Sequence, residues 1–203
     1  MEVMKKETTV SPFWNDKNEK IGGGEIYKTD FQTPPYVCKY MISLIPPGSV
    51  SVLEPSKGIG NIVRELKGYD VTAPDDFFLL NKKQRFDCVV MNPPFSTKYA
   101  LMQNAPADFN HFGMRLGYYF LTECMRMSEH VIALMPWFTI SDSDVRLRSV
   151  YDFGLRSITA LPRRTFKFAR IQTMVLELDK GYSGPTELKV FDRLTKSTQI
   201  EML

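Results

Sequence analysis

Apolar residues in this chain alternate between short continuous runs and stripes at helical spacing. "SVSVLEP" (49–55), "RFDCVVMN" (85–92), "VIALMPWF" (131–138), "SITALPRRTF" (157–166) and "IQTMVLELDK" (171–180) read as strands. "FDCVV" is apolar enough to be buried on both faces of a sheet. Between the runs lie helix patterns. Val37, Tyr40, Met41 and Leu44 make a stripe behind Pro34 and Pro35, with Thr33 as the expected N-cap. "NIVRELKG" (61–68) is a short helix closed by Gly68. "MRLGYYFLTECMRMSEH" (114–130) has one apolar face, and "SDSDVRLRSVYDFG" (141–154) opens with Ser and Asp caps. "YDVTAPDDFFLL" (69–80) is compressed and leaves room for a short strand or two. Strands that alternate with helices predict an α/β domain with a mostly parallel sheet, helices on both faces and a late antiparallel pair.

Residues 1–24 are polar and charged, contain "IGGG" and read as a flexible arm; residues 25–203 then form one domain. A polar loop is expected from Ser96 to about Gly113.

Composition narrows the chemistry. The 203 residues carry a net charge of +3, too small to establish a nucleic-acid partner by itself. Cys38, Cys88 and Cys124 are far apart and lack CxxC spacing, so they read as buried thiols in a reducing cytosol. His111 and His130 are the only histidines, too few for a convincing metal cluster. The N-terminus is polar and no apolar run is long enough to span a bilayer, so a cytoplasmic protein without membrane contact is expected.

Two strand ends carry the candidate chemistry. "LEPSKGIG" places Glu54 at a strand end, then Gly58 and Gly60 before a helix. Glycines there allow a ligand close to the backbone, and the helix start offers free N–H groups. The pattern is not a dinucleotide GxGxxG, because Val63 stands at the third position. An acid before the turn disfavours a pyrophosphate and favours a ligand with an amine and a sulfonium. The second end, "VVMNPPFS", stops a buried strand with Asn92, Pro93, Pro94 and Phe95. It puts an amide and an aromatic ring on a stiff turn, where ligands of open α/β sheets bind.

"FQTPPYVCKYM", "VLEPSKGIG", "DDFF" and "FDCVVMNPPFS", in that order, resemble the adenine-N6 DNA methyltransferases over roughly residues 27–180. The resemblance implies a Rossmann-like, S-adenosylmethionine-dependent methyltransferase sheet. It places Thr33 and Pro34 near the methionine end of the cofactor. Glu54, with the backbone of Ser56, Gly58 and Gly60, would cradle the amino-acid part. Asp76 and Phe77 would hold the adenine of the cofactor. Asn92 and the Pro93 carbonyl would accept the hydrogens of the acceptor amine, Pro94 would stiffen the turn, and Phe95 would stack on the base. Phe166 would flank a flipped base, with Phe168 as competitor for that role.

Arg163, Arg164 and Lys167 lie in a basic segment suited to phosphates, and Lys98 in a loop that could close over substrate. DNA is the implied partner, RNA the alternative. Relatives with this tetrad also methylate RNA adenine or a protein glutamine amide. A non-catalytic nucleic-acid-binding relative with a reduced cofactor site is the reading from another class. That last reading is motivated by the short span from Gly60 to Asp76, which has no room for the usual second strand and helix that grip the ribose. No target-recognition domain fits after Lys180, so either a separate specificity subunit supplies recognition, or the substrate is another one, or the chain is a reduced relative; by analogy the setting is restriction–modification or a mobile element.

Overall fold

The computed structural model describes residues 32–95, 103–106, 116–163, 165–166 and 171–191. The element order is α1 (Pro35–Ser43), β1 (Ser51–Leu53), α2 (Asn61–Glu65), β2 (Asp70–Thr72), a 3-10 turn (Phe77–Leu79), β3 (Cys88–Met91), α3 (Leu116–Met127), β4 (His130–Pro136), α4 (Phe138–Ser141), α5 (Asp144–Gly154), β5 (Leu155–Ala160), β6 (Thr173–Asp179) and β7 (Glu187–Val190). The strands form one seven-stranded sheet in the order β2-β1-β3-β4-β6-β5-β7. β2, β1, β3 and β4 run parallel, and β6 is antiparallel to both β4 and β5. The expected late hairpin is therefore present.

Side-chain alternation along the strands builds two cores. Leu53, Val89, Met91, Val131, Ala133 and Leu176 face the side covered by α3 and α5. Val52, Cys88, Val90, Ile132, Leu134 and Val175 face the side covered by α1 and α2. β3 is buried at all four positions, which is why its sequence shows no alternation of polar and apolar residues. The three cysteines are buried and unpaired; burial pushes Cys38 and Cys88 up to about 12 and Cys124 upward too. Such thiols are poor nucleophiles. No helix among the described residues is long and apolar enough to cross a membrane.

Three local expectations are corrected. The N-cap of α1 is Pro34, with no side-chain cap, because the Thr33 side chain is engaged elsewhere. β5 begins at Leu155, directly after α5, and stops at Ala160 rather than reaching Phe166, since Pro162 cannot donate to a ladder. The immediate helix-to-strand junction uses Gly154 at φ +132, where a Cβ would lie 2.0 Å from the Asp179 carbonyl oxygen. Finally, β7 pairs in parallel with β5 at the sheet edge, a strand the apolar pattern does not predict. Leu188 and Val190 are mostly exposed, so no buried face marks the segment. Its end is docked instead by Phe191, whose ring lies 5.9 Å from Tyr36 and 5.2 Å from Tyr40 of α1.

Candidate active site

The chain goes from β1 outward to β2, then returns across β1 to β3 on its other side. Strand order reverses there, and the ends of β1 and β3 open a crevice between them. Glu54 directly follows β1 and Asn92 directly follows β3, so the topology brings the two candidate strand ends together.

A chain of hydrogen bonds joins them. The Ser56 backbone N–H donates to Glu54 Oε1 (3.0 Å), and Ser56 Oγ lies 3.2 Å from the same oxygen. Ser56 Oγ is also 3.1 Å from the Asn92 carbonyl oxygen. On the far side, Asn92 Nδ2 donates to Thr33 Oγ1 (3.0 Å). Asn61 Nδ2, on the first turn of α2, donates to the Thr33 carbonyl (2.9 Å). Segments before α1, after β1, on α2 and after β3 thus meet at one point.

Glu54 is the electrostatic centre. It is 1% exposed, and its Oε2 is buried with no hydrogen-bond partner. Burial pushes its carboxyl up to about 8, against the lowering effects of Ser56 and Lys57. A buried carboxylate oxygen without a partner suits a cationic ligand group. Lys57 does not supply it: its ammonium pairs with Asp75 at 2.5 Å and holds that carboxyl below the usual range.

Gly58 (φ +52) and Gly60 (φ +82) form the left-handed turn. Gln32 covers it: a Cβ on Gly58 would sit 2.3 Å from Gln32 Oε1, which accepts from the Ile59 N–H at 3.1 Å. Sequence reasoning missed Gln32 and Asn61. Both lie inside quoted segments, Asn61 directly after Gly60, but neither spacing nor glycine content marks their side chains, and only the fold shows what they bond.

The other predicted residues divide. Pro34 starts α1 beside Thr33, and Pro93 is buried while Pro94 and Phe95 are half-buried next to the first turn of α3. A Cβ on Gly117 of α3 would be 3.4 Å from the Phe95 ring and 3.6 Å from the Pro94 carbonyl oxygen. Asp76 serves as a cap: Oδ1 accepts from the Phe78 N–H at 2.9 Å and Oδ2 from Asn104 Nδ2 at 2.7 Å. Phe77 is a correction. Its ring is 3% exposed, stacked on Phe120 at 4.2 Å, with the Lys82 ammonium 3.0 Å from its centroid. Both faces are occupied, so it offers no platform to a purine. Phe166 is corrected for a similar reason, because it is buried in the apolar cluster on the α1 side. Arg163 is exposed. Arg164, Lys167, Lys98 and Phe168 lie outside the described residues. From Gly60 to Asp76 the chain makes one five-residue helix and one three-residue strand.

This sheet, with its reversed strand order and late antiparallel pair, is the fold of class I S-adenosylmethionine-dependent methyltransferases. The chain matches no family model and no curated protein. Among solved structures it is similar to the methyltransferase subunit of a type I restriction–modification system from Streptococcus thermophilus, with a TM-score of 0.61 and 16% identity, over 85% of this chain and 52% of that one. The M protein of the type I restriction enzyme EcoKI gives 0.58 and 16%, over 83% and 50%. A Listeria monocytogenes protein assigned provisionally to the class I methyltransferases gives 0.59 and 17%, over 84% and 69%. At these identities the likeness is one of fold. The chain spans about half the length of the type I subunits it resembles.

Proposed function

We propose that this chain transfers a methyl group from S-adenosylmethionine to the N6 amine of adenine in DNA, with a separate subunit supplying target recognition. One observation carries the reading. The buried, unpartnered Glu54 Oε2 stands at the end of β1 and Asn92 at the end of the adjacent β3, and Ser56 joins the Glu54 carboxyl to the Asn92 main-chain carbonyl. A carboxyl group that gives up its proton when a cationic donor group binds and an amide for the acceptor are what such a transfer needs in one crevice.

The residues present fit the cofactor. Glu54 would hold its cationic amino-acid end, and the Gly58–Gly60 turn would offer its backbone once the Gln32 side chain that covers it moves aside. Thr33, bonded to Asn92, and Pro34 beside it would lie near the methionine end of the cofactor. Asp76 is the candidate for the adenine end; it would have to exchange its bond to Asn104 for one to the exocyclic amine. When bound, the cofactor supplies an electrophilic methyl on a sulfonium.

The chain's own task is to prepare the acceptor nitrogen. An exocyclic amine is a poor nucleophile because its lone pair is delocalised into the ring. The Asn92 side-chain oxygen and the Pro93 carbonyl would each accept one amine hydrogen, turning the lone pair out of the ring plane. Placement and electrostatics do this without a strong base. Phe95 would stack on the base, which must leave a duplex to reach the crevice. The exposed Arg163, with Arg164, Lys167 and Lys98, would contact phosphates.

The test is transfer of tritiated methyl to duplex DNA, single strands and RNA, with calorimetry of S-adenosylmethionine binding alongside. Transfer to DNA adenine that Asn92→Ala abolishes, with cofactor still bound, is expected. Binding without transfer to DNA, but with transfer to RNA or a glutamine amide, would replace the acceptor. Absence of binding at millimolar cofactor would replace the enzyme reading by that of a nucleic-acid-binding relative.

A further inference from the structure

We propose that Thr33 is a positioning residue, whose buried hydroxyl holds the Asn92 carboxamide by its NH2 edge and so turns the Oδ1 edge toward the acceptor amine. The inference rests on the functional reading above and adds to it what sets the orientation of the amide.

A carboxamide has two edges of nearly equal shape and opposite polarity. Only the oxygen edge can accept a hydrogen from an amine; the NH2 edge would repel it. The Asn92 backbone does not settle the choice, because the Ser56 hydroxyl at 3.1 Å engages the main-chain carbonyl and not the side chain. A bond that holds the side chain by its NH2 edge runs from Asn92 Nδ2 to Thr33 Oγ1, at 3.0 Å across 59 positions of sequence.

Both ends of that bond are stiff for the same local reason. Thr33 precedes Pro34–Pro35, and Asn92 precedes Pro93–Pro94. A proline restricts the residue before it to extended backbone, so each partner has little freedom to drift. Thr33 is further fixed by burial, at 3% exposure, and by Asn61 Nδ2 on its carbonyl at 2.9 Å. Two X-Pro-Pro segments, one before α1 and one after β3, therefore clamp a single side-chain contact from opposite sides. A side chain held in this way loses little entropy when substrate arrives.

A hydroxyl can donate as well as accept, so an amide flipped by half a turn could also be held, through Oδ1. The two arrangements differ in whether an Nδ2 proton is bonded, which can be read without any turnover. The experiment compares the full chain with Thr33→Val, which keeps the shape and removes the hydroxyl, and Thr33→Ser, which keeps the hydroxyl. The first readout is the 15N-resolved side-chain amide of Asn92, assigned by its loss in Asn92→Asp. One Nδ2 proton shifted downfield in the parent and in Thr33→Ser, and not in Thr33→Val, is expected. The second is methyl transfer: kcat should fall about tenfold in Thr33→Val, as for one lost hydrogen bond, a larger change than in the KM for the cofactor, with recovery in Thr33→Ser. A parent amide with neither Nδ2 proton bonded, or a Thr33→Val variant with parental kcat, would overturn the proposal. If the parent transfers no methyl to any acceptor, the functional reading fails while the amide signals still decide the Thr33–Asn92 contact. A Thr33→Val protein that does not fold leaves the decision to the parent and Thr33→Ser spectra.

Discussion

Glu54 makes the stability of the protein depend on pH in a direction opposite to that of ordinary surface carboxylates. In the unfolded chain its carboxyl titrates near 4.5; in the folded protein burial raises it to about 8. Across that window the folded state holds a proton that the unfolded state has released. Stability therefore falls as pH rises, by about 1.4 kcal/mol per pH unit, and the loss is complete above the folded value. With the side chain only 1% exposed, little solvent screening reduces the effect, and roughly 3–5 kcal/mol is at stake. Glu54→Gln isolates it. The amide keeps an oxygen for Ser56, and its NH2 replaces an Oε2 that already lacks a partner. Parent and variant should match near pH 5, and the variant should be the more stable at pH 8.5. A gap of that size corresponds to a difference in Tm of about 6–20 °C for a domain of this length. Thermal unfolding of both proteins from pH 5 to 9 measures it, and other titrating groups cancel in the difference. Parallel curves across the range would refute the burial argument. The same proton has a counterpart in ligand binding: at pH 7 a cationic ligand group at Oε2 should displace it. Calorimetry in buffers of different ionisation enthalpy should then show release of up to one proton per ligand bound.

Five other outcomes follow. Gly154→Ala sets a Cβ 2.0 Å from a backbone oxygen and should cost about 3 kcal/mol or more by denaturant unfolding. Gly181→Ala has φ +81 but open space, and should cost only about 1–2 kcal/mol. Phe77→Ala should lose about 3–5 kcal/mol of stability, as expected for a stacked core ring; a small loss would return Phe77 to the ligand-facing residues. Gly58→Ala should destabilise mainly through its φ of +52, since the Gln32 side-chain end it overlaps can move aside, and Gln32→Ala in the same protein should recover little. If the basic segment meets phosphates, DNA affinity should fall with salt and with Arg163→Ala or Arg164→Ala, as read by fluorescence anisotropy; indifference to both would remove the segment from the interface.

What the sequence determined by itself is local and periodic. The buried runs of β3, β4 and β6, the amphipathic α3 and α5, and the left-handed glycine turn follow from hydrophobic spacing and backbone sterics, which need no knowledge of neighbours. So does the stop imposed by Pro93 and Pro94 on β3. Long-range placement was decided by tertiary structure. β7 exists because β5 has an edge to pair and Phe191 an aromatic pair to dock on, not because its own residues bury anything. Phe77 is a core ring and not a ligand platform because Phe120 and Lys82 cover it, and those residues lie on elements whose packing no spacing rule gives. Thr33 leaves its expected capping role because Asn92, 59 positions away, claims its hydroxyl. Periodicity records which face of an element avoids water; it does not record which partner meets that face, and the candidate site is made of such meetings.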